Sequence, residues 1–242
     1  MKNRAKYIAV TIIALTAVLI LVVVTGRLAG DREPHFDPPR DLYPMSGIDI
    51  SAHNGEIDFD KVAADGVDFV YAKASEGNWF RDKRFISNYI GARKAGMKVG
   101  AYHFFRFDCD GDRQGLNFLA AVSRLPLDLP MAIDVEEWGN PVGYSTEEVV
   151  HSLRRMIFRL ESEGRRVMIY TNRNGYNRFV RGRFEELPVW VCAFADPPID
   201  NAGWTLWQHS HQSRINGIAG DVDLNTFNGD SLQWEKWLAD MK

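Results

Sequence analysis

The chain has 242 residues, 45% hydrophobic and 25% charged, which is ordinary globular composition with ample length for one large core. A net charge of -3, a pI near 6.1 and the lack of any lysine- or arginine-rich block leave no electrostatic footprint for nucleic acid, which is set aside as a partner. Two cysteines, Cys109 and Cys192, are too few for a disulfide scaffold and read as two separate thiols.

At the N-terminus, Lys2, Arg4 and Lys6 precede an uncharged apolar run over 7–24. The run is near the lower limit of a bilayer-spanning helix, about 17 to 25 residues, and longer than the roughly 7 to 15 of a signal-peptide core. Residues 1–28 are therefore expected to be an uncleaved signal anchor, with a cleaved signal peptide as the alternative, since Val24-Thr25-Gly26 and Leu28-Ala29-Gly30 offer small residues for a peptidase. Basic residues on the N-terminal side place the bulk of the chain outside the cytoplasm in either case, at the cell surface or in a periplasm. Residues 29–44, with Pro34, Pro38, Pro39 and Pro44 among charges, read as an extended linker, and 45–242 as the folded domain.

From Met45 onward, short β-branched or aromatic runs alternate with helical segments, the pattern of parallel α/β units. Strands are expected over 47–50, 69–73, 98–104, 131–135, 166–171, 189–193, 205–208 and 221–224. Eight strands predict a closed α/β barrel. A helix is expected over 145–163, where Ser145 and Glu148 form a capping box and Val149, Leu153, Met156, Ile157 and Leu160 share one face. Another is expected over 82–94, with Phe85, Ile86 and Tyr89 turned inward. After Val189 the connections are short and rich in proline, aspartate and glycine, so helices should be reduced or missing in the last third and the barrel irregular.

Active sites of such barrels sit at the C-terminal ends of the strands. In Met131-Ala132-Ile133-Asp134-Val135-Glu136, an apolar run ends in two acids at i and i+2, which the strand period sends to one face, into the barrel mouth. Paired carboxyls suit glycoside cleavage, which needs a protonated acid for the leaving oxygen and an anion near the developing oxocarbenium charge. Their backbone separation of roughly 6.6 Å decides neither retention nor inversion. Asp49 and Asp223, on the first and last strands, would add two more acids to the same mouth if the barrel closes. Aromatic residues at strand ends, Tyr102, Tyr170, Trp190 and Trp207, are candidates for lining a sugar groove. Lys73 and Glu76 end the second strand and are taken as further substrate contacts.

Two other readings compete. Four acids with His53, His103 or His209 nearby could hold a metal for phosphodiester chemistry, but the histidines are scattered singly with no close ligand spacing, so no metal or other cofactor is expected. A binding protein that keeps the groove without turnover is the other, and the presence of all four acids weighs against it.

In order and spacing, these segments resemble glycoside hydrolase family 25, the lysozymes of the Chalaropsis type. Gly47-Ile48-Asp49-Ile50-Ser51 resembles the family's opening strand. Phe69-Val70-Tyr71-Ala72-Lys73-Ala74-Ser75-Glu76-Gly77 is similar to its second, with serine where threonine is more usual, and Gly100-Ala101-Tyr102-His103-Phe104 to its third. Ile133-Asp134-Val135-Glu136 resembles the catalytic Asp-x-Glu, Ile169-Tyr170-Thr171 the fifth strand and Val222-Asp223-Leu224-Asn225 the closing one. The resemblance implies hydrolysis of β-1,4 bonds between N-acetylmuramic acid and N-acetylglucosamine in peptidoglycan. It implies Glu136 as general acid, Asp134 as charge stabiliser or orienter of the substrate acetamido group, and Asp49 and Asp223 completing the acidic groove. Ser51-Ala52-His53-Asn54-Gly55 lacks a tryptophan that many members carry. No wall-binding repeat follows the domain, which is expected to act as a monomer localised by its N-terminal segment.

Overall fold

The computed structural model describes residues 37–123, 125–194, 198 and 203–240; the segment 1–28 and the start of the linker lie outside the described residues. Residues 37–44, expected to be extended, include a turn in which Leu42 and Tyr43 N–H both donate to the Pro39 carbonyl.

In chain order the elements are β1 (Ser46–Ile50), α1 (Phe59–Ala64), β2 (Phe69–Glu76), β3 (Phe80–Arg81), α2 (Phe85–Lys94), β4 (Lys98–Phe104), α3 (Gly111–Val122), β5 (Met131–Asp134) and α4 (Thr146–Ser162). Then come β6 (Val167–Asn172), β7 (Val189–Cys192), β8 (Leu206–Ser213), β9 (Val222–Phe227) and α5 (Ser231–Ala239). The strands pair in the order β1-β9-β8-β7-β6-β5-β4-β2, and β1 pairs with β2 to close an eight-stranded barrel; β3 is a short hairpin arm on β2.

The barrel is not built wholly of parallel units. β9 runs antiparallel to both neighbours, β8 and β1, while the remaining barrel pairs are parallel. The cause is the connection 214–221, which is helix-free and far too short for the crossover that parallel neighbours need. Helices thin out earlier than the composition after Val189 suggests: β6 already leads to β7 through only a short helical turn, Arg173–Gly175, and a π-helical turn, Tyr176–Val180.

Alternation along the strands divides the core in two. Ile133 and Val135 face outward into the layer beneath the helices, whereas Ala132, Met168, Tyr71 and Trp190 fill the barrel. Helix α5 closes the barrel at the end opposite the strand C-termini, where Trp234 packs on Phe69 and Phe227 with ring centroids 5.2 and 5.1 Å apart. Helix α4 has the expected capping box, Glu148 N–H to Ser145 Oγ and Ser145 N–H to Glu148 Oε2, and buries the expected stripe. In α2 the stripe differs: Ile86 is 49% exposed, and the inward face is Phe85, Asn88, Tyr89 and Ala92. That set follows the i, i+3, i+4, i+7 rule, which leaves Ile86 a hundred degrees away from Phe85.

Gly100 on β4 sits opposite Tyr71 on β2, and a Cβ there would lie 2.4 Å from the Tyr71 ring. Gly100→Ala should therefore lower stability by about 1–3 kcal/mol through overpacking. Urea denaturation reads this as a lower midpoint at unchanged slope, and an unshifted midpoint would show that the ring has room to move.

Candidate active site

The strand C-termini surround a cleft of about 390 Å³. Asp49, Lys73, Glu76, Tyr102, Asp134, Glu136, Tyr170, Trp190 and Asp223 all line it, so the structure brings together nine of the ten residues singled out from the sequence. Trp207 is the exception. On β8 Leu206 turns into the barrel, so Trp207 turns outward; it is fully buried, donates its Nε1–H to the Ala193 carbonyl at 2.7 Å, and has no place in a groove. Trp190 is also almost buried, and forms the floor, with its Nε1–H on Asn225 Oδ1 at 2.8 Å.

Asp223 reaches the mouth for a reason the barrel's topology supplies. It stands at the start of β9, and only because β9 runs antiparallel does that start share a rim with the ends of the parallel strands. The register pairs Asp223 directly with Asp49 across the closing seam. Asp49 Oδ2 accepts hydrogen bonds from Gln208 Nε2 at 2.9 Å and Asn225 Nδ2 at 2.8 Å. Burial raises Asp49, and these two amides oppose the rise. Burial and the adjacent Asp49 push Asp223 up to about 9, so Asp223 keeps its proton at neutral pH and shares it with Asp49.

Asp134, the last residue of β5, is 8% exposed and its Oδ1 has no hydrogen-bond partner among the described residues. Burial and the neighbouring Glu136 raise it well above the usual carboxylate range, and Lys73 opposes them. Glu136 lies just beyond the strand end, more open than Asp134. Burial pushes it up to about 7, against a hydrogen bond from Asn172. Both acids are thus driven towards their neutral forms and titrate as a coupled pair.

Lys73 bonds Glu76 at 2.8 Å and lies over the rings of Phe80 and Phe104. Arg106, on the loop after β4, approaches Glu76 at 3.8 Å and donates to the Gly139 carbonyl at 2.6 Å. That loop is held by a buried chain in which His103 joins Ser75 Oγ at 2.8 Å and Gln114 Oε1 at 3.2 Å, while Gln114 binds Arg106 N–H and carbonyl. Burial pushes His103 down to about 3, so it serves this network as a neutral ring. His53 lines the cleft and His209 is buried elsewhere.

Arg106, Trp138 and Gly139 line the cleft from loops; Trp138 is legible in the sequence only as one of many aromatics crowding these loops, and Arg106, Gly139 and the supporting Asn172, Gln208 and Asn225 carry no such signal as site residues. Period-two alternation from Asp223 to Asn225, and from Leu206 to Gln208, was the signal available for the last two.

A family model described as glycosyl hydrolases family 25 matches residues 48–218. The chain belongs to glycosyl hydrolases family 25. Among family-25 relatives, the autolytic lysozyme of Clostridium acetobutylicum is 35% identical over 185 residues, 76% of this chain and 56% of that protein. The chain thus spans little more than half the length of that relative. Lysozyme M1 of Streptomyces globisporus is 33% identical over 212 residues, 81% of this chain and 71% of that protein. The solved structure of a family 25 glycosyl hydrolase from Bacillus anthracis superposes with a TM-score of 0.78 at 30% identity, covering 86% of this chain and 99% of that one. The mixed closed barrel is therefore the family-25 fold.

The raised Asp223 has a consequence for stability. Its ordinary value is 3.8 and its folded value about 9, so its contribution is fully present at low pH and is lost as pH rises through that window. Asp223→Asn should match the parent's unfolding free energy at about pH 4 and exceed it by at least about 1 kcal/mol at about pH 8. Denaturant unfolding at the two pH values measures this, and equal stability at both would mean that Asp223 ionises freely.

Proposed function

We propose that this family-25 domain is a muramidase that hydrolyses the β-1,4 bond between N-acetylmuramic acid and N-acetylglucosamine in peptidoglycan, with Glu136 as the proton donor. The observation that carries the reading is the Asp134 and Glu136 pair at one rim of the cleft, with Glu136 raised to about 7 on its more open side. A group with that value is protonated often enough at neutral pH to act as an acid and ionises readily once its proton has gone. Asp134 lies deeper, with an oxygen unpartnered among the described residues. As the glycosidic bond breaks, positive charge developing at the sugar favours the Asp134 anion, and the pair's proton leaves through Glu136 to the departing oxygen. Asp49 and Asp223 form a fixed, proton-sharing wall that bears on Glu136 electrostatically. Tyr102 and Tyr170 present ring surface to the sugars above the Trp190 floor, and Lys73 and Glu76 present charge at the cleft edge.

The named activities of the clostridial and streptomycete lysozymes support this substrate. The cleft is complete within one chain, and the domain acts as a monomer. It works outside the cytoplasm, where peptidoglycan lies, held at the membrane by residues 1–28.

Glu136→Gln should lower the release of muramic-acid reducing ends from peptidoglycan by about 10²–10⁴-fold. In the parent, activity should fall as pH rises through about 7, since the working form is the protonated one. A variant with the parent's turnover would remove Glu136 from the chemistry. Deleting residues 1–28 should move the protein from the membrane fraction to the soluble one in cell fractionation; a parent already soluble, with a new N-terminus, would indicate a cleaved signal peptide.

A further inference from the structure

The proton donor stands past the end of its strand, where no ladder holds it. The parallel register pairs Asp134 with Tyr170, and continuing that register sets Glu136 abreast of Asn172, the last residue of β6. Two bonds extend the contact beyond the final ladder pair: Val135 N–H donates to the Tyr170 carbonyl at 2.9 Å, and Thr171 Oγ1 donates to the Val135 carbonyl at 2.6 Å. The backbone of Glu136 is thereby fixed from β6.

Asn172 is also the N-cap of the short helical turn that follows, where its Oδ1 accepts the Gly175 N–H at 2.9 Å. With the amide oxygen committed to the cap, the amino group is turned the other way and can only donate. Gly175 is needed for this turn to sit so close, because a Cβ there would lie 2.0 Å from Thr171 Oγ1 and 3.1 Å from the Val135 carbonyl.

We propose that Asn172 is a positioning residue for the proton donor: its cap-locked amide holds the Glu136 carboxyl in a fixed orientation and sets the pH at which that carboxyl gives up its proton. The inference rests on Glu136 being the acid of the proposed reaction. The titratable groups that bear on Glu136 are Asp134 on β5, Asp49 on β1, Asp223 on β9, Tyr170 on β6 and Cys192 on β7. Tyr170 and Cys192 are themselves pushed up and stay neutral, so what raises Glu136 is chiefly burial, with the Asp49 charge adding to it. The Asn172 amide works in the opposite direction by donating to the ionised form. Asn172 does not line the cleft, so it acts through Glu136 and not on the sugar.

The test uses two variants of the full-length chain that preserve the cap. Serine and aspartate both cap helices well. Asn172→Ser exchanges the amide donor for a shorter hydroxyl without adding charge, and Asn172→Asp replaces the donor with a carboxylate. The alkaline limb of the kcat profile should move up by about half to one pH unit in Asn172→Ser and further in Asn172→Asp. Peak kcat should fall about tenfold or more as the acid loses its orientation, with KM little changed. If both variants keep the parent's limb, Asn172 does not act on Glu136, whatever happens to their thermal midpoints, and the proposal is overturned. Glu136→Gln run in the same assay separates the two failures: an inactive Glu136→Gln with unmoved limbs rejects only the role of Asn172, whereas an active one rejects the acid assignment and this inference with it.

Discussion

Four carboxyl groups enclosed at one rim of a barrel lose water and repel one another, and the molecule is organised around how that cost is met. Each acid has a different solution. Asp49 is fixed by two amide donors, Gln208 and Asn225, and shares a proton with Asp223 across the β1–β9 seam. Asp134 has Lys73 as its opposing charge and an oxygen with no partner among the described residues. Glu136 has one amide, from Asn172. The result is a cleft that is acidic by composition yet partly neutral at physiological pH, which is the condition an acid catalyst needs.

Barrel closure makes that arrangement possible. A wholly parallel barrel would leave the start of its last strand at the far rim, with Asp223 away from the other three acids. The turn 214–221 reverses the chain, β9 fills the gap between β8 and β1 in the opposite sense, and Asp223 lands against Asp49. The same strand feeds α5, whose Trp234 seals the other end of the barrel on Phe69 and Phe227. One end of the barrel is thus filled with aromatic packing and the other is left open for chemistry. The division accords with the general tendency of functional sites to carry unfavourable groups that packing elsewhere offsets.

Behind the cleft, polar side chains act as braces. Gln114 binds both backbone groups of Arg106, His103 links Gln114 to Ser75, and Asn140 binds the carbonyls of Phe105 and Glu136. These bonds tie the loops after β4 and β5 to each other, so Arg106 and Trp138 enter the cleft from backbone that is held, although the Trp138 side chain is 78% exposed. Rigid support of this kind lets loop residues contribute with the precision of strand residues.

Local chemistry in the sequence determined a good deal by itself: the period of two in Ile133-Asp134-Val135-Glu136, the capping box of α4, the even spacing of the strands and the thinning of helices after Val189 were all readable, because each depends on neighbours in the chain. The acids could be named for the same reason. The direction of β9, the outward turn of Trp207, the exposure of Ile86 and the braces from Asn172, Gln208 and Asn225 were decided only by the tertiary structure. Those features depend on which strands become neighbours and in what register, and residues 159 and 176 positions apart, such as the amides on Asp49, meet only when the barrel closes.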